Sequence, residues 1–134
     1  MQKVVITGHD LTVDQIIAVC REGAEVVLSD ESREKILASR QVVNELVEER
    51  KVVYGITTGF GKFSDVVISQ DECKLLQKNL IITHAVGAGD PFKEDIARGI
   101  LLLRVNSLSN GFSGICLETV ETMIAMLNKG VTPF

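Results

Sequence analysis

Tyr54 is the only tyrosine in the chain, and it opens a glycine-rich stretch, Val53-Tyr54-Gly55-Ile56-Thr57-Thr58-Gly59-Phe60-Gly61. A phenol placed there is a candidate acid or base. Its unperturbed pKa of about 10 makes it a poor base at neutral pH unless positive charge or hydrogen-bond donors stabilise the phenolate. Spacing alone leaves two readings open, a packed tyrosine and a reactive one. The glycines allow positive φ and close approach of backbone to another group. His84, in Thr83-His84-Ala85-Val86-Gly87, is the second candidate. It falls at a predicted helix end, where the helix dipole favours a protonated imidazole. The small residues after it leave space beside the ring, so it reads as a site residue or as a capping histidine. His9, between Gly8 and Asp10, reads as a turn residue. Arg104 and Asn106 interrupt an apolar helical run and need polar partners there. A structural network satisfies that need, and an ion pair across a helix interface is one form of it.

Several chemistries are excluded. Counting back from Gly61-Lys62, Ile56 stands where a P-loop needs its first glycine, and Phe63 replaces the magnesium-binding Ser or Thr. The dinucleotide pattern fails as well, because Ser64 occupies the third glycine position after Gly59 and Gly61. Cys20, Cys73 and Cys116 are far apart and form no CxxC pair, which argues against a disulfide framework and against a metal site. Each lies on an apolar helical stripe and is expected to be a buried thiol. A formal charge of −4 and the lack of a basic run argue against a nucleic-acid surface. No basic and apolar leader opens the chain, and its longest apolar run is broken by Arg104, so the reading is cytoplasmic with no membrane span.

The elements that must position these residues are mostly helical. With 134 residues, 46% hydrophobic and 4% aromatic, the chain can hold a core built from Leu, Ile, Val, Ala and Met. Val4–Thr7 and Glu25–Leu28 are short β-like runs, expected to pair as a small antiparallel ribbon. Between them Thr12 and Gln15 form a capping box for a helix carrying Val13, Ile16, Ile17 and Cys20, which Gly23 stops. Ser29-Asp30-Glu31 starts a helix running to about Arg50, with Ile36, Val43, Leu46 and Val47 on one face. After the glycine stretch, Ser69 and Glu72 form a second capping box for a helix ending at Thr83-His84. A helix over about Lys93–Ser109 carries Ile100-Leu101-Leu102-Leu103, apolar around most of its circumference. Such a helix is buried on several sides; in so short a chain this predicts burial by other chains or a missing part, or else an exposed apolar patch. A last helix, capped by Ser113, places Cys116, Val120, Ile124 and Leu127 at core spacing and ends at Asn128-Lys129-Gly130.

Three stretches in order resemble one family. Tyr54-Gly55-Ile56-Thr57-Thr58-Gly59-Phe60-Gly61 resembles the YGxNTGFG signature of the aromatic amino acid ammonia-lyases, with Thr57 in place of the usual Asn. Leu76-Gln77-Lys78-Asn79-Leu80 and Thr83-His84-Ala85-Val86-Gly87 resemble the LQxNL…SHAxG segment of the histidine-specific members. Arg104-Val105-Asn106-Ser107-Leu108 with Gly111-Phe112-Ser113-Gly114 resembles RxNSLxxGxSG. The likeness runs over nearly the whole chain. It implies the N-terminal domain of the aspartase/histidase-like fold over residues 1–134, with the last helix, about 113–129, beginning a central helical bundle. It implies non-oxidative deamination of L-histidine to urocanate and ammonia, with a tyrosine ammonia-lyase or aminomutase as the alternative within the family. By resemblance, Tyr54 is the base for the β-proton on a loop that closes over the substrate, His84 helps to select the side chain, and Gly61 lines the pocket. The implied electrophile is MIO (4-methylideneimidazole-5-one), formed from an internal Ala-Ser-Gly, and the implied assembly is a homotetramer. This chain contains no Ala-Ser-Gly. The expectation is therefore an N-terminal fragment that is inactive alone. Outside the family, a non-enzymatic helical assembly module is the competing expectation.

Overall fold

The computed structural model describes residues 2–58 and 70–133. Its elements follow the order β1 (Lys3–Ile6), α1 (Val13–Arg21), β2 (Glu25–Leu28), α2 (Asp30–Glu48), α3 (Gln70–His84), α4 (Glu94–Leu108) and α5 (Leu117–Lys129). The mainly helical reading with a minor two-stranded sheet holds. The chain divides into two units, one of residues 1–40 and 90–134 and one of residues 41–89.

In the first unit, β1 and β2 pair in parallel, Lys3 opposite Glu25 and Ile6 opposite Leu28, which corrects the antiparallel ribbon. The reason is the connection. A whole helix, α1, joins the strands, and a crossover of that length returns the chain in the same direction, whereas a hairpin turn reverses it. Thr12 does form the capping box: its hydroxyl accepts from Gln15 N at 3.3 Å, and Gln15 Oε1 accepts from Thr12 N at 2.9 Å. The buried face of α1 is turned from the expected stripe. Ala18 and Val19 are buried, Ile16 and Cys20 pack partly against the core, and Val13 is 70% exposed.

The core joins Val4, Ile6, Val26 and Leu28 of the strands to Val19, Ile36, Leu102, Val105, Val120, Ile124 and Leu127. Each buried aliphatic side chain contributes roughly 1.5–3 kcal/mol relative to exposure. On α4, Arg98, Leu102 and Val105 recur at helical spacing and are buried, with Ser109 following just past its end. Ile96, Ile100 and Leu103 are about half exposed, at 48%, 54% and 51%. The α4 helix thus exposes apolar side chains beside a single buried stripe. The α5 stripe holds at Val120, Ile124 and Leu127, and Gly130 closes the helix at φ 69°.

Two expectations about α5 and the thiols fail. Ser113 is not its N-cap: the helix begins after Cys116, and the Ser113 hydroxyl instead accepts from Ile115 N at 3.4 Å. Cys116 has extended backbone (φ −68°, ψ 137°), so it lies off the helical stripe and is exposed. Cys20 is half-buried, while the Cys73 side chain and Ser69, the expected capping residue, lie outside the described residues.

Buried polar groups tie this unit together. Arg98 donates from Nη1 to the Leu127 carbonyl at 3.1 Å and from Nη2 to the Val19 carbonyl at 3.0 Å. One guanidinium therefore serves carbonyls near the C-terminal ends of both α1 and α5. The Asn128 amide accepts from Val26 N at 2.8 Å and donates to Val26 O at 2.9 Å, covering the outer edge of β2 as a third strand would. Gly114 donates to Ser39 Oγ at 2.9 Å and accepts from Arg40 Nη1 at 3.2 Å, anchoring the α4–α5 connection. Asn106 donates to Gly8 O at 3.3 Å, which meets the expected network only in part, since its buried Oδ1 has no hydrogen-bond partner among the described residues. Arg104 is exposed and makes no ion pair among the described residues, so the cross-helix pair is absent there.

Candidate active site

The second unit carries Tyr54 and His84. It begins within α2, which ends in an uncommon way: Arg50 takes positive φ (51°) without being glycine. Arg50 N bonds to Val47 O at 3.2 Å, and Lys51 N bonds back to Leu46 O at 3.1 Å. That pair of bonds is a Schellman ending, normally made by glycine. It turns the chain out of the helix into Lys51–Tyr54.

A tight turn follows. Ile56 N and Thr57 N both donate to Val53 O, at 3.1 and 3.0 Å. Gly55 sits inside the turn at φ 75°, a region that a side chain would strain. The Thr57 hydroxyl accepts from Val53 N at 2.9 Å and donates to Lys51 O. Thr57 and Thr58 are buried, at 7% and 2% exposure, whereas Tyr54 is 62% exposed. The turn is thus closed by a buried threonine, while its tyrosine is largely exposed. Lys51 also pairs with Glu49 at 2.5 Å, and the hydrogen bond and charge of Glu49 raise the lysine pKa above its ordinary value.

His84 is the last residue of α3, as the sequence suggested, and is exposed. Its Nδ1 lies 2.9 Å from Leu80 O and 3.1 Å from Thr83 Oγ1. An Nδ1–H donating to the Leu80 carbonyl leaves Nε2 as the nitrogen to meet a ligand. His84 thus ends α3 and Tyr54 lies in the turn after α2; both belong to one unit and are exposed. Gly61, the third expected site residue, lies outside the described residues.

A cleft of about 650 Å³ lies in the first unit, between Cys20, Arg21, Glu94, Asp95 and Arg98, and neither Tyr54 nor His84 lines it. His9 pairs with the neighbouring Asp10 at 3.8 Å on the surface. Among the described residues no acidic, cysteine and histidine cluster could hold a metal, and no helix is long and apolar enough to cross a membrane. The implied electrophile does not fit these residues. The Ser113-Gly114 pair is preceded by Phe112, and both backbone polar groups of Gly114 are engaged by Ser39 and Arg40. It is a structural loop.

Sequence reasoning missed three polar anchors, Arg98, Asn128 and the Thr57 hydroxyl. Only Thr57 left a signal, as a departure from the YGxNTGFG pattern.

Comparison with known proteins places the chain. The family described as aromatic amino acid lyase matches residues 11–134. A histidine ammonia-lyase of Caldanaerobacter subterraneus subsp. tengcongensis is 56% identical over 133 residues, 99% of this chain and 26% of that protein. One of Alkaliphilus oremlandii is 58% identical over the same shares. The chain thus spans about a quarter of the length of these relatives. Among solved structures, histidine ammonia-lyase from Trypanosoma cruzi has a TM-score of 0.87 at 40% identity, over 95% of this chain and 25% of that one. Tyrosine aminomutase from Streptomyces globisporus has a TM-score of 0.90 at 34% identity, over 98% of this chain and 25% of that one. The family match covers most of the chain and the helical fold agrees with these structures, so the chain belongs to the aromatic amino acid lyase family.

Proposed function

We propose that this chain is the tyrosine-bearing N-terminal part of a histidine ammonia-lyase, a carbon–nitrogen lyase converting L-histidine to urocanate and ammonia in the cytoplasm. The observation that carries the reading is 56–58% identity to two histidine ammonia-lyases across 99% of the chain. In this reading Tyr54 takes the β-proton of the substrate, and His84 meets its side chain. The chemistry requires such a division of labour. A β-proton is weakly acidic, so a positioned base works only alongside an electrophile that activates the amino group. That electrophile, MIO from an Ala-Ser-Gly triplet, is assigned to polypeptide outside these 134 residues. Reading residues 1–134 as one N-terminal domain, with α5 entering a central bundle, belongs to the same proposal. So does a homo-oligomer that covers the exposed Ile96, Ile100 and Leu103.

The test is urocanate absorbance. The 134-residue chain alone should give none from L-histidine, whereas the complete lyase should. In the complete lyase, Tyr54→Phe should lower kcat by about 10²-fold or more while substrate still binds. Retained kcat removes Tyr54 from the base role.

The likeness to tyrosine aminomutase favours a second reading, with tyrosine as substrate. A substrate panel separates the two, since turnover of tyrosine but not histidine would replace the first reading.

A further inference from the structure

Thr57, three residues after the proposed base, bonds back to Val53 and Lys51 before it. Its hydroxyl accepts from Val53 N at 2.9 Å and donates to Lys51 O, while its amide donates to Val53 O at 3.0 Å. Three contacts from one residue thus close a ring of backbone around Tyr54 and Gly55. The hydroxyl is buried with its residue, at 7% exposure, so water does not readily replace it when it is removed. Gly55 gives the ring its shape through positive φ but supplies no side chain to hold it closed.

We propose that Thr57 is the positioning residue for Tyr54. The inference rests on the reading of Tyr54 as the base. A base contributes only when its oxygen is held within hydrogen-bond reach of the proton it removes. The Thr57 hydroxyl lowers the freedom of the turn that carries the phenol, and so raises the fraction of molecules with the phenol in place. Valine has nearly the shape of threonine but neither donor nor acceptor, so it leaves Val53 N and Lys51 O without this partner. Serine keeps both functions.

The chain carries its own reporter, because it has one tyrosine and no tryptophan. Tyrosine fluorescence anisotropy therefore reads Tyr54 alone, and amide hydrogen exchange reads Val53. In Thr57→Val, anisotropy should fall and Val53 exchange should quicken by about tenfold, with helicity unchanged. Thr57→Ser should match the parent, and Thr57→Ala provides a second hydroxyl-free variant should valine fold poorly. Unchanged anisotropy and exchange in the hydroxyl-free variants would overturn the proposal.

Activity supplies the second arm. In the complete lyase, Thr57→Val should lower kcat by about tenfold with KM changed by less than about threefold, and Thr57→Ser should restore it. A purely structural role predicts a lower yield of folded enzyme with kcat per active site unchanged, and that outcome sinks the proposal. If Tyr54→Phe abolishes turnover but Thr57→Val does not, the base reading stands and this inference falls. If Tyr54→Phe keeps its turnover, the base reading falls, and the catalytic half of this inference falls with it. The anisotropy and exchange measurements then still decide whether Thr57 orders the turn.

Discussion

The guanidinium of Arg98 donates to the Leu127 carbonyl at 3.1 Å, joining α4 to the end of α5. The same side chain reaches the Val19 carbonyl at 3.0 Å, so a single charge satisfies two helix ends whose dipoles favour a cation. Arg98→Met keeps the aliphatic volume and removes both donations. It should cost about 3 kcal/mol of stability, read as a lower midpoint in urea denaturation. Arg98→Lys should recover only part of that loss, because an ammonium lacks the planar fork.

Asn128 does for β2 what a neighbouring strand would do. Its amide both accepts from and donates to Val26. Asn128→Asp keeps the acceptor but removes the donor and brings a charge near Val26 O. We expect it to destabilise by about 1–3 kcal/mol, with amide exchange at Val26 remaining slower than in Asn128→Ala.

Two glycines with similar φ predict different costs. Gly111 is at φ 74°, and a Cβ there would meet the Lys35 backbone at 2.6 Å. Gly130 is at φ 69°, and a Cβ there would meet open space. Gly130→Ala should cost only the backbone strain, about 1 kcal/mol. Gly111→Ala adds a clash with main chain that cannot swing aside, and its loss should exceed that of Gly130→Ala by at least about 1–3 kcal/mol. Thermal melts of the two variants provide the comparison.

The thiols should react in order of exposure. Burial pushes the Cys20 pKa above its ordinary value, Arg98 and Arg21 opposing and Asp95 assisting, while Cys116 is exposed. Alkylation followed by peptide mapping should find Cys116 labelled well before Cys20, because the thiolate is the nucleophile. The raised pKa also has a stability consequence. The folded state holds the Cys20 proton more tightly than the unfolded state, so this contribution is complete below the ordinary thiol pKa. It is lost as pH rises through the folded value. Cys20→Ala should flatten that part of the stability profile on the alkaline side.

Helix existence was legible because apolar residues recur at helical spacing and caps have local chemistry. Thr12 with Gln15 and the Gly130 stop needed only neighbouring residues, and both occur as expected. The strand direction was not legible, because Val4–Ile6 and Val26–Leu28 alternate identically in either orientation and only the path through α1 decides it. The Arg50 turn was missed because glycine is the usual signal for such an ending and none stands there. Tyr54 and His84 were marked by their types and motifs, and their places on a turn and at a helix end followed from the flanking glycines and the α3 pattern.

By itself, then, the sequence determined the helical character, the ordered motifs of the family and the absence of an Ala-Ser-Gly triplet in these residues. These properties depend on local order along the chain. Only the tertiary structure decided that Arg98 serves Val19 and Leu127, that Asn128 covers the edge of β2, and that α4 buries a single stripe. It also showed the Thr57 hydroxyl closing the Tyr54 turn. Hydrogen bonds of this kind depend on distance and direction in three dimensions. Residues 79 positions apart, as Val19 and Arg98 are, carry no mark of their partnership until the helices pack.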